Sequence, residues 1–125
     1  MLYLKTLKLN KEFKRVYYNS AYKAHPLVVT YLSRNRQKCG RYGIATPKKI
    51  GNAVKRNRAK RLITAALINL EKEFNLVGYD IVFLARVDTP SADFHQLSNT
   101  IRNHLRLLLT QKPQKSSTKN KNNQK

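Results

Sequence analysis

Residues 48–62 read "KKIGNAVKRNRAKRL" and carry seven cations, Lys48, Lys49, Lys55, Arg56, Arg58, Lys60 and Arg61, with no carboxylate. From Asn52 onward, Ala59, Leu62, Ile63, Ala66, Leu70 and Phe74 recur at helical spacing, so the stretch opens a long amphipathic helix. Projection at helical pitch places Asn57, Lys60, Arg61 and Thr64 opposite that stripe, with Arg58 beside them and Lys55 and Arg56 nearer its edge in the first turn. A solvated helix face normally mixes signs and gains about 0.2–0.5 kcal/mol per i,i+4 pair; here Arg56 and Lys60 stand four apart and lose a comparable amount. Cations in a first turn are also opposed by the helix macrodipole, which draws anions instead. A phosphate near Gly51 to Val54 relieves both costs, so the segment is built to be completed by a polyanion.

The rest of the composition agrees. The chain has 125 residues, 41% of them hydrophobic, enough for one domain over residues 1–110 but not for a multidomain enzyme. Its net charge of +20 comes from 26 Lys and Arg against 6 Asp and Glu, a self-repulsion that nucleic acid neutralises. The longest apolar run, Ile81 to Ala85, is far short of the roughly 20 residues of a membrane span. The opening "MLYLKTLKLNK" lacks the apolar block of a signal peptide, and the single Cys39 has no partner for a disulfide or a metal site, so a cytoplasmic protein is expected.

The pattern along the chain predicts an α+β fold in the order α-β-β-β-α-β-α, a small sandwich of helices on one sheet. Phe13, Val16 and Tyr17 mark a first helix over about 11–18 with Asn10 as its N-cap. "PLVVTYL" (26–32) and "RYGIAT" (41–46) read as strands that pair in a hairpin around the loop 33–40, with its Arg34, Arg36 and Lys38, and "NSAY" adds a weak edge strand. Gly78 ends the long helix. "YDIVFLAR" (79–86) has the unbroken apolar character of a central strand, and Phe94, Leu97, Ile101, Leu105 and Leu108 line a last helix capped at Ser91 or Asp93. Residues 111–125 contain no apolar residue and should form a disordered basic tail.

The deciding stretch resembles the signature of the bacterial ribonuclease P protein family: two lysines ending a strand, a Gly turn, and an Arg-Asn-Arg helix. The tripeptide alone means nothing, since Arg34-Asn35-Arg36 repeats it where no helix follows. The aromatic first helix, "GIATPKK", "YDIVFLAR" and the closing helix extend the resemblance over roughly residues 8–110. It implies a ribosomal-protein-like α-β sandwich with a left-handed β-α-β crossover through the basic helix. It further implies the protein subunit of a ribonucleoprotein endoribonuclease, whose catalytic RNA removes the 5′ leader of precursor tRNA. On that resemblance Lys48, Lys49, Arg56, Asn57, Arg58, Lys60 and Arg61 contact the RNA subunit. Phe13, Tyr17 and either Tyr31 or Thr30 line a cleft for the leader, and magnesium is held mainly by the RNA. Phe13 and Tyr17 are equally the residues an ordinary small core would use. Two departures stand out: Thr46-Pro47 replaces a Val-Ser pair, so the strand should end early, and Thr64 replaces a frequent Arg.

A nuclease acting alone needs a carboxylate cluster or a histidine pair. The six acids show no such spacing, and neither do His25, His95 and His104, the last of which reads as a packing residue. No catalytic residue and no protein-borne metal site is therefore expected. The alternative is a non-catalytic ribosomal or RNA-assembly protein, which needs the basic surface but not the rings. A DNA-binding module lacks the positioning helix that precedes a recognition helix.

Overall fold

The apolar stretch beginning at Tyr79 becomes the strand around which the sheet is built. The computed structural model describes residues 4–7 and 10–110, so the expected tail lies outside the described residues. Strands β1 (Lys5–Thr6), β2 (Ala21–His25), β3 (Val28–Arg34), β4 (Arg41–Ala45) and β5 (Tyr79–Ala85) form one sheet in the order β1-β4-β5-β3-β2. Helices α1 (Asn10–Asn19), α2 (Ala53–Leu70) and α3 (Phe94–Thr110) complete the expected order, with the two-residue β1 added in front.

The expected hairpin of 26–32 with 41–46 does not form. β5 lies between these strands, antiparallel to β3 and parallel to β4. A strand apolar on both faces belongs in the sheet interior with both edges paired, and the loop from 35 to 40 need only step over it, about 10 Å. The hairpin that does form joins β2 to β3 through Pro26 and Leu27, with Ala21 opposite Leu32 and His25 opposite Val28. The parallel β4-α2-β5 unit is the expected crossover.

Local chemistry sets the boundaries. β4 stops at Ala45, before Pro47, and Lys48–Ile50 form a 3-10 turn. Gly51 then takes φ 141°, a conformation costly for any residue with a Cβ, and Asn52 caps α2 by accepting the Lys55 N–H at 3.0 Å. Asn10 is the first residue of α1 rather than its cap, and Arg34 is the last residue of β3 rather than part of the loop. For α3 the cap is Asp93, whose Oδ2 accepts the Gln96 N–H at 3.0 Å, while Ser91 ends a separate 3-10 turn.

The sheet has a helix layer on each side. On one face Leu32, Ile81 and Phe83 pack against Ala59, Ile63 and Leu67 of α2 and Leu97, Ile101 and Leu105 of α3. Thr30 points into this layer and shares a 2.8 Å hydrogen bond with Nδ1 of buried His104. Burial, reinforced by His25 and Lys23, holds the His104 imidazole down at about 4, so it is neutral at physiological pH. On the other face a smaller cluster, Leu7, Val16 and Val82, seats α1.

Candidate nucleic-acid interface

Strand register places Gly43, Val82, Tyr31 and Tyr22 side by side in one row across β4, β5, β3 and β2, on the face that carries α1. The helix crosses this row. The Phe13 ring lies so close over Gly43 that a Cβ there would fall 2.5 Å from its Cζ, which is why the position is glycine. Val16 meets Val82. One helical step on, Tyr17 packs edge-on against Tyr31 with centroids 4.8 Å apart, and Tyr22 lies 5.6 Å from Tyr31 on the other side.

The four rings are not equivalent. Phe13 and Tyr31 are half-buried, whereas Tyr17 is 37% and Tyr22 60% exposed. Phe13 therefore anchors α1 to the sheet, while the three tyrosines form an aromatic surface open to solvent. Burial, together with the neighbouring tyrosine, raises the pKa of both Tyr17 and Tyr31, so both phenols stay protonated at neutral pH and can donate hydrogen bonds. The choice between residues 30 and 31 is fixed by strand alternation: Tyr31 faces α1, and Thr30 is in the core.

Beside this row, Arg41 makes a bidentate pair with Asp80, Nε to Oδ1 at 2.9 Å and Nη2 to Oδ2 at 2.7 Å, and reaches Glu12 of α1 at 3.2 Å. The pair joins β4 to β5 and fixes the N-terminal end of α1. Nothing in the local sequence signals it, because its members come from three separated elements.

On the other side of the molecule Lys48, Lys49, Asn57, Arg58, Lys60 and Arg61 are all exposed, and Arg56 is partly covered. None of these cations has an ion-pair partner among the described residues, where the salt bridges involve only Arg41 and Arg102. A cavity of about 340 Å³ between the β2–β3 turn and the loop after β5 is lined by His25, Lys49, Arg86 and Asp88. It adds Arg86 to the basic surface, a residue that sequence reading placed only as the end of a strand.

Among the described residues no three His, Cys, Asp or Glu side chains are grouped to hold a metal. Both Asp80 oxygens are engaged by Arg41, and Glu73 is paired with Arg102 at 3.0 Å.

A family model described as Ribonuclease P matches residues 2–109. Among curated relatives, the ribonuclease P protein component of Clostridioides difficile is 38% identical over 100 residues, covering 79% of this chain and 87% of its own. That of Caldanaerobacter subterraneus is 41% identical over 103 residues, covering 82% and 88%. The solved RNase P protein of Staphylococcus aureus matches with a TM-score of 0.71 at 29% identity, covering 82% of this chain and 93% of that one. The Thermotoga maritima protein, at 23% identity, shares the fold with a TM-score of 0.69 over 83% and 94%.

Proposed function

The chain belongs to the bacterial ribonuclease P protein family, a family of RNA-binding proteins of tRNA processing, and from that premise we propose that its two surfaces divide the work of an accessory subunit. The cations of α2 and its leading turn, Lys48, Lys49, Arg56, Arg58, Lys60 and Arg61, together with Asn57, bind the catalytic RNA. Tyr17 and Tyr31, held in place by Phe13, stack the unpaired bases of the 5′ leader of precursor tRNA. The observation that carries the reading is the half-open Tyr17–Tyr31 pair. A scaffold that only folds RNA needs the basic helix, but it gains nothing by leaving rings exposed to solvent. Stacking on such rings contributes about 1–3 kcal/mol per base and demands unpaired nucleotides, so it separates precursor from mature tRNA.

In this scheme the chain supplies position and charge, and the reacting groups and their magnesium belong to the RNA. Neutralising phosphates with protein cations lowers the metal concentration at which RNA and substrate approach each other. The assembly works in the cytoplasm, where precursor tRNA is made. The test is cleavage of labelled precursor by the RNA alone, the protein alone and both, across a magnesium titration. The expected result is no cutting by protein alone and a lower magnesium requirement for the complex. Metal-dependent cutting at the leader junction by nuclease-free protein would defeat the assignment, as would a complex needing as much magnesium as naked RNA.

A further inference from the structure

Two of the chain's six carboxylates converge on a single guanidinium, in a protein where 26 Lys and Arg compete for them. Arg41 and Asp80 stand opposite each other on β4 and β5, two residues before Gly43 and Val82, so strand alternation puts them on the face that carries α1. Asp80 is pinned. Besides the two bonds from Arg41, its Oδ1 accepts from Asn35 Nδ2 at 2.7 Å, and the residue is 3% exposed. The guanidinium is therefore planted in the sheet, and its remaining arm, Nη1, donates to Glu12 Oε2 in the first turn of α1 at 3.2 Å. A cation occupied in this way is withheld from nucleic acid, so its role is internal.

That role follows from where the arm reaches. Phe13 over Gly43 and Val16 on Val82 are apolar contacts, which hold the helix down but are not directional. Glu12 adds a directional contact beside them. Residues 41 and 43 lie about 7 Å apart along β4, so Glu12 and Phe13 grip the strand at two places and the helix cannot swing about either. Tyr17 stands about 7.5 Å further along the helix axis than Glu12, where a swing of about 10° carries the ring by about 1 Å. A displacement of that size exceeds the roughly 0.5 Å within which a binding constellation must be held, and it would disturb the edge-on contact with Tyr31. A buried ion pair contributes little net stability over apolar side chains of the same volume, but a bidentate fork fixes direction as well as distance.

We propose that Arg41 is a positioning residue for leader recognition: anchored by Asp80, it sets through Glu12 the angle at which α1 crosses the sheet, and with it the placement of Tyr17 against Tyr31. The inference rests on the leader-stacking reading above. The test measures the affinity of the assembled complex for leader-bearing precursor and for mature tRNA, using full-length Glu12→Gln, Tyr17→Ala and the double variant. Glu12→Gln cuts the tie to α1 and leaves the Arg41–Asp80 pair in place. It should lower the ratio of precursor to mature affinity by about fivefold, the low end for one stacked base. Charge alone predicts the opposite sign, because removing a carboxylate favours the RNA with more phosphates. In the Tyr17→Ala background Glu12→Gln should change the ratio no further, since it acts through that ring. Arg41→Lys keeps the charge and loses the fork, and it should lower the ratio in the parent but not in Glu12→Gln. An unchanged ratio in Glu12→Gln, losses that add to those of Tyr17→Ala, or a lowered melting temperature as the sole effect overturns the proposal. A Tyr17→Ala complex with the parental ratio defeats the leader-stacking reading itself, whereas an effective Tyr17→Ala beside an indifferent Glu12→Gln defeats this inference alone.

Discussion

Val82 and Phe83 are neighbours on β5 and face opposite ways. Among the described residues, Phe83 enters a layer of seventeen buried apolar residues shared with α2 and α3, while Val82 is one of three in the cluster beneath α1. The first side is closed by two long helices. The second is held by a single ten-residue helix, an anchoring ring over a glycine, and one buried ion-pair network. One sheet therefore separates a face that supplies stability from a face that leaves aromatic surface available, and substitutions on the two should fail in different assays.

Phe83→Ala should produce the largest stability change, a loss of about 3–5 kcal/mol, because it opens a cavity where nothing can collapse to fill it. Denaturant unfolding measures it, and the protein that remains folded should bind RNA normally. A drop in binding with little loss of stability would break the division of faces.

Next comes acid. The buried His104 titrates at about 4 against 6.5 for an unhindered imidazole, so between those values the unfolded chain binds more protons than the folded one. This contribution to stability is complete above pH 6.5 and is lost as pH falls toward 4, on the order of 2–3 kcal/mol. His104→Gln should flatten that part of the stability profile relative to the parent; parallel profiles would mean that burial does not keep the ring neutral.

Gly43→Val tests the other face. Its side chain must displace the Phe13 ring, costing about 1–3 kcal/mol by overpacking and tilting α1 away from Tyr31. Affinity for leader-bearing precursor should fall with it, and Phe13→Leu should restore part of both in a double-mutant cycle. Additive losses would show that ring and glycine act separately.

The smallest effects belong to the open rings. Tyr17→Ala and Tyr22→Ala should each weaken binding of leader-bearing precursor by about 1 kcal/mol, the low end for a stacked base, and leave mature tRNA binding and the melting temperature nearly unchanged. Equal losses for both tRNA forms would place these rings in the packing of α1 instead. Tyr22 sharpens the comparison further, since it sits at 60% exposure on an edge strand where packing alone would not put a tyrosine.

Elements set by local periodicity were legible in the sequence. The α2 stripe and its outward cations, the early end of β4 at Ala45 and the buried strand at 79 follow from spacing and proline chemistry. What was not legible depends on partners distant in the chain. The 26–32 and 41–46 segments suit a hairpin, and only the arrival of β5 between them decides otherwise. Likewise Tyr31 was a candidate whose facing remained open until register paired it with Val82 and Tyr22, and the Arg41–Asp80–Glu12 network links residues up to 68 apart, between Glu12 and Asp80. Arg86 became part of a basic cavity only because the β2–β3 turn lies beside it.

The insertion of β5 also fixes when the molecule can come into being. A ribosome making this chain releases β3, paired with β2, and β4, paired with β1, well before Tyr79–Ala85, and until those residues emerge nothing joins the two pairs. Their unpaired edges stay open, and the parallel β4–β5 pairing must close a loop through all of α2, the kind of long-range contact that forms late. The rings of α1 reside in the first third of the chain, yet the floor they stand on, Gly43 beside Val82 beside Tyr31, is complete only when β5 has slid into its gap. A nascent chain halted before residue 79 therefore carries every tyrosine of the aromatic row and cannot assemble it.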